Sequence, residues 1–178
     1  MIRFTSEDLS EYLQLLLGRL RRCRGQHGFA DGVPHGRKDF AEAAIGLVGL
    51  RALAGRQADA AQTLTTHKND IAALLVANEA LLRDYVDQLD TAMWAPTDNW
   101  GDACMHRSAV QILLDDIADD KVRALIDIET INNVDMIMRR SAGEVPPLAA
   151  EFIPVGLPDD HWWWRLPRGE PPDDELWW

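Results

Sequence analysis

Four carboxylates crowd into six residues at Asp115-Asp116-Ile117-Ala118-Asp119-Asp120. Placed on a helix, acids at these spacings can line one side and hold Mg²⁺ ions that neutralise a diphosphate. A second constellation is Arg22 and His27, an R-x4-H spacing in which a cation and an imidazole could act on a phosphodiester. The five histidines, His27, His35, His67, His106 and His161, are otherwise scattered, and no two have the i, i+4 spacing of a helical metal site. Asp102 and His106 do have that spacing and read as a helix-surface pair. No GxSxG turn marks a nucleophile, and the glycines form no phosphate-binding loop.

The DDxxD run resembles the aspartate-rich motif of isoprenoid synthases, which are also all-helical. That resemblance covers six residues and implies a small Mg-dependent phosphoester or diphosphate enzyme with Asp115, Asp116, Asp119 and Asp120 as metal ligands. The chain is much shorter than those enzymes, and no second metal-binding motif follows. It also lacks the paired ExxE pattern of small helical nucleotide pyrophosphohydrolases. Arg22 and His27 resemble the pair in ribonucleases of the HEPN class, but here they sit at the end of the first helix. The plainer readings are preferred. The acids form a solvated helix end, with Asp119 or Asp120 capping the next helix. Arg22 compensates a helix dipole, and His27 lies in a loop.

The last 36 residues, 143–178, are of a different kind. They hold five of the seven tryptophans, seven of the nine prolines, and eight acidic side chains against two arginines. Each tryptophan can bury about 150–250 Å², so this surface must fold back on the body or meet a partner. The candidate partner-binding residues are Trp162, Trp163, Trp164 and Arg165, with Asp173, Asp174, Glu175, Leu176, Trp177 and Trp178. Short extended pieces are expected at 151–155 and 162–166, with Trp163 pointing opposite to Trp162 and Trp164. The alternative for Trp162–Trp164 is completion of the core. The acidic, aromatic terminus resembles in style the docking tips of single-stranded-DNA-binding proteins, without their OB-fold body.

Helices must position these groups. Leu9, Leu13, Leu16, Leu17 and Leu20 recur on one helical face, preceded by acids and followed by Arg19, Arg21, Arg22 and Arg24. A second pattern starts near Asp39, a candidate N-cap, with Phe40, Ala44, Leu47, Val48 and Leu50 as core. Its Gly46 and Gly49 suit a close helix neighbour. The clearest helix spans about 69–93 along Ile71, Leu75, Asn78, Leu82, Tyr85 and Leu89, with Asn78 placed at the margin of the seam. Thr97 is a candidate cap for the next helix, and 121–140 reads as one helix despite its β-branched alternation.

At 178 residues and 47% apolar, the chain suits one folded body with an appendage. It is expected to be mainly α, a helical bundle of four to six helices over 1–142 with a Pro/Trp-rich acidic arm over 143–178. Its net charge of −11 repels phosphate backbones and argues against direct nucleic-acid binding. No signal-peptide pattern or membrane-length apolar run is present. Cys23 and Cys104, without CxxC or Cys/His spacing, read as reduced core thiols in a cytoplasm. The expected function is non-catalytic and needs no cofactor. It is protein binding, of an immunity, antitoxin or adaptor kind, through an acidic surface and the aromatic arm toward a basic partner. A homo-oligomer assembled through the Trp arm is the structural alternative, and the Mg-dependent enzyme the catalytic one.

Overall fold

The computed structural model describes residues 6–23, 29–30, 33–34, 36–92 and 99–166, and these form a mainly helical body. α1 (Ser6–Cys23) buries Leu9, Leu13, Leu16, Leu17 and Leu20, the stripe its spacing predicts. A two-residue antiparallel ladder, β1 (Phe29–Ala30) with β2 (Val33–Pro34), lies between α1 and α2. α2 (Arg37–Ala54) begins at Gly36, whose φ of 84° suits glycine, and not at Asp39. Asp39 instead lies in the first turn, where Arg22 Nη2 reaches its Oδ1 at 3.1 Å.

α2 is the central helix and packs against α1, α3, α4 and α5. Gly46 and Gly49 bring α1 close: Tyr12 donates its hydroxyl to Gly46 O at 2.9 Å, and a Cβ at Gly49 would lie 2.7 Å from that hydroxyl. The helix expected over 69–93 is two helices, α3 (Ala58–Ala77) and α4 (Glu79–Ala92), joined at Asn78. Asn78 is buried rather than marginal. Its amide donates to Leu20 O at 3.0 Å and Leu74 O at 2.8 Å. A polar side chain in the seam thus satisfies carbonyls that the bend and the α1 terminus leave open.

α5 (Trp100–Ile112) is capped by Asn99, which accepts from Asp102 N. The candidate cap Thr97 lies outside the described residues. At 113–117 the helix widens into a π turn closed by Ala118 N to Leu113 O at 2.7 Å. The run 121–140 is helical but divided into α6 (Asp120–Arg123) and α7 (Ile128–Ser141). The divider is Asp127, whose carboxylate accepts from Glu129 N at 3.0 Å and Thr130 Oγ1 at 2.9 Å.

The chain from 142 to 166 crosses back over the bundle. Its short helical turns, Ala150–Phe152 and Trp162–Trp164, replace the extended pieces expected there. Gly156, at φ 100°, lies against the end of α2, where a Cβ at Gly55 would come within 2.0 Å of Gly156 O. A Cβ on Gly156 would in turn meet Ala52 O at 2.3 Å. Leu157, Trp163 and Trp164 then join the same core as the helices.

Candidate functional site

A buried polar cluster forms where the Trp triplet meets α5. Trp100, Cys104 and Ser108 follow one another at i, i+4 and i+8 and so share one helix face. Trp163 O accepts from Trp100 Nε1 at 3.0 Å and from Cys104 Sγ at 3.4 Å. Ser108 Oγ is surrounded by Trp163 Nε1 at 2.9 Å, Trp164 Nε1 at 2.9 Å and His161 Nδ1 at 3.0 Å.

Donor counting fixes the protons here. An indole N–H only donates, so the two tryptophans occupy both lone pairs of the serine oxygen. The hydroxyl proton then goes to His161 Nδ1, which leaves His161 neutral with its proton on Nε2. Burial pushes the His161 pKa below its ordinary value; Asp160 and Asp115 act upward and Arg107 and Arg51 downward. Burial likewise pushes the Cys104 thiol up, so it stays protonated and unreactive.

Arg107 closes the cluster from below. Its guanidinium lies 4.4 Å from the Trp163 ring centroid and forks onto Asp135, with Nε to Oδ1 at 2.6 Å and Nη2 to Oδ2 at 3.0 Å. Its third nitrogen, Nη1, donates to Gln111 Oε1 at 2.9 Å. Arg139 of α7 stacks on the outer ring, 4.2 Å from the Trp162 centroid. Among the described residues, no buried side-chain nitrogen or oxygen lacks a partner. The cluster is a fastener, chemically saturated, with no free nucleophile or base.

This geometry sorts the sequence candidates. Trp163 and Trp164 are 1% and 3% exposed, so in this fold they offer a partner almost no surface. They and Trp162 do not alternate as on a strand, because the triplet is a tight helical turn. Trp162 is half-buried under Arg139, and Arg165 is exposed beside Asp159 at 3.4 Å. Asp173, Asp174, Glu175, Leu176, Trp177 and Trp178 lie outside the described residues, as does His27.

The aspartate run is not gathered toward a common point. Asp116 pairs with Arg51 Nε at 2.8 Å, and Asp115 accepts from Gln111 Nε2 at 2.6 Å. Asp119 caps α6 by accepting from Lys121 N at 3.0 Å and Val122 N at 2.9 Å. Asp120 begins α6, exposed to solvent. The π turn at 113–117 and the extended Ala118 interrupt the regular helix that would have aligned the four acids. Among the described residues, no three His, Cys, Asp or Glu side chains are placed to hold a metal ion.

A separate, mainly apolar cavity of about 190 Å³ is lined by Arg37, Ala41, Tyr85, Gln88, Leu89 and His106. The Tyr85 hydroxyl and His106 Nδ1 are 2.8 Å apart there, and Arg37 is forked onto Asp84 at 2.8 and 2.6 Å. Burial raises the tyrosine pKa and lowers that of His106, so both stay neutral.

What the sequence reading missed lies just ahead of the triplet. Phe152 and Val155 are 68% and 62% exposed, the most exposed large apolar side chains among the described residues. Acidic Glu151 adjoins Phe152 in sequence, and the chain immediately after Val155 lies against the end of α2 at Gly156. Their apolar character within an acidic, Pro-rich stretch was the available signal. Comparison with protein-family models, curated proteins and solved structures gives no match, so no relative's activity bears on the reading.

Proposed function

We propose that this chain is a non-catalytic protein-binding protein that meets a basic partner through its acidic surface and its C-terminal arm. The observation that carries the reading is the contrast within the arm. Trp163 and Trp164 fasten it to α5, while Phe152 and Val155 stand in solvent on a stretch held against α2. A held apolar pair loses little entropy on docking, which favours tight association.

Charge supplies the complement. Arg19, Arg22, Arg37, Arg51, Arg107 and Arg165 are each matched to a carboxylate of the chain itself. Asp120, Glu129 and Glu151 are exposed without an ion pair among the described residues, on a chain of net charge −11. Such a surface speeds encounter with a basic protein and repels nucleic acid. Neutralisation of a basic toxin and chaperoning of a basic subunit are the settings that fit. Cys23 and Cys104, both free and buried, suit a reducing cytoplasm, and among the described residues no helix is long and apolar enough to cross a membrane.

The test is capture from native lysate, followed by reconstitution with the purified partner. Full-length protein is compared with Phe152→Ser/Val155→Ser and with a chain ending at Gly169. The reading expects a stoichiometric basic partner whose on-rate falls with salt and whose off-rate rises in the double variant. Equally folded proteins that bind nothing, or a partner indifferent to both salt and the double variant, would overturn it.

A further inference from the structure

His161 is 1% exposed, and neither its neutrality nor its position is used by the binding surface proposed above. Its Nδ1 accepts the one proton that Ser108 has to give, since two indole N–H groups fill the serine's lone pairs. A protonated imidazole turns Nδ1 from acceptor into donor. Three donors would then converge on one saturated oxygen, and the hydroxyl proton would be left without an acceptor, in a place water does not reach.

We propose that the His161–Ser108 contact is an acid-operated latch: protonation of His161 releases segment 157–166 from α5 while the helical bundle stays folded. Of the charges around the imidazole, the two carboxylates outweigh the two arginines. Arg107 and Arg51 oppose a cation at His161, and Asp160 and Asp115 favour it. Both arginines are already matched, Arg107 by Asp135 and Arg51 by Asp116, and Arg139 of α7 is stacked on Trp162. Charge repulsion is therefore the lesser effect, and the donor mismatch on Ser108 is the trigger. The bundle's own contacts, α1 with α2 and α3 and α2 with α5, do not pass through the segment.

The sign follows from burial. His161 stays neutral when docked and regains an ordinary pKa of about 6.5 when released. Docking is thus at full strength above about pH 6.5. As pH falls below that value, the opening constant rises by up to about tenfold per pH unit, until the docked imidazole itself takes the proton. Opening exposes Trp163 and Trp164 and uncovers Trp100. The latch holds or fails independently of any partner.

The experiment follows the full-length protein from neutral to mildly acid pH by hydrogen exchange and far-UV circular dichroism. Between about pH 7 and about pH 5.5 the wild type should lose up to about tenfold in protection across 157–166, with unchanged helix signal. His161→Asn keeps an acceptor oxygen near the Nδ1 position and cannot take up the proton; its opening should be flat over the same range. His106→Asn, beside Tyr85, should keep the wild-type response. The proposal is overturned if His161→Asn opens with the wild-type profile, or if 157–166 and α5 lose protection together. Should His161→Asn not fold, Ser108→Ala decides: it should open the segment already at neutral pH and without pH dependence. Retained protection with a wild-type acid transition would contradict the latch.

Discussion

Two polar clusters lie on and just beyond α5, and they part in opposite ways from the order of the chain. Asp115–Asp120 are neighbours in sequence, yet in space Asp116 pairs with Arg51, Asp115 with Gln111, Asp119 caps α6 and Asp120 faces solvent. Ser108 lies more than fifty positions from His161, Trp163 and Trp164, yet all three meet on its one oxygen. A run of like charges tends to disperse, because solvent and nearby cations satisfy each member separately. Buried donors must converge, because each unpaired one costs on the order of 1–3 kcal/mol. Burial rather than clustering in sequence marks the cluster that organises this molecule.

The contrast predicts unequal sensitivities. Trp163→Ala should have the largest effect, lowering the unfolding free energy in urea by about 3–5 kcal/mol through lost packing on α5 and Arg107. Gly156→Ala comes next, at about 1–3 kcal/mol, because alanine is strained at φ 100° and its Cβ meets Ala52 O. The urea midpoint measures both, and a wild-type midpoint for either would erase the difference between the two clusters. On the acid side, Asp119→Ala should cost about 1 kcal/mol, the value of one helix cap. Asp116→Asn should cost less than about 1 kcal/mol, since its pair with Arg51 is partly exposed. Neither variant should change how melting responds to Mg²⁺. A Mg²⁺-dependent rise in Tm that Asp116→Asn abolishes would restore the metal reading and reverse the comparison.

The helical body was readable wherever apolar residues recur at helical spacing, as in α1 and along Ile71, Leu75, Leu82, Tyr85 and Leu89. The breaks were not. Asn78 reads as the margin of a continuous seam, and only its reach to Leu20 O and Leu74 O shows a buried joint between two helices. Asp127 sits in a β-branched run where its capping role has no local marker until Glu129 N and Thr130 turn toward it. The fastening cluster was half readable. Trp100, Cys104 and Ser108 share a face by spacing alone, but nothing in a lone serine says that two indoles and an imidazole will reach it. The exposed pair Phe152 and Val155 escaped notice because an extended, alternating arm drew attention to the tryptophans instead.

The central claim is that the Trp segment is part of the folded body, fastened through Ser108. Hydrogen exchange of the intact protein at about pH 7.5, where His161 is neutral, tests it most directly. The account predicts slow exchange at the Trp164 and Arg165 amides, which donate to His161 O and Trp162 O, alongside a protected α5. Exchange of those amides at the rate of an unstructured peptide, with α5 still protected, would contradict it.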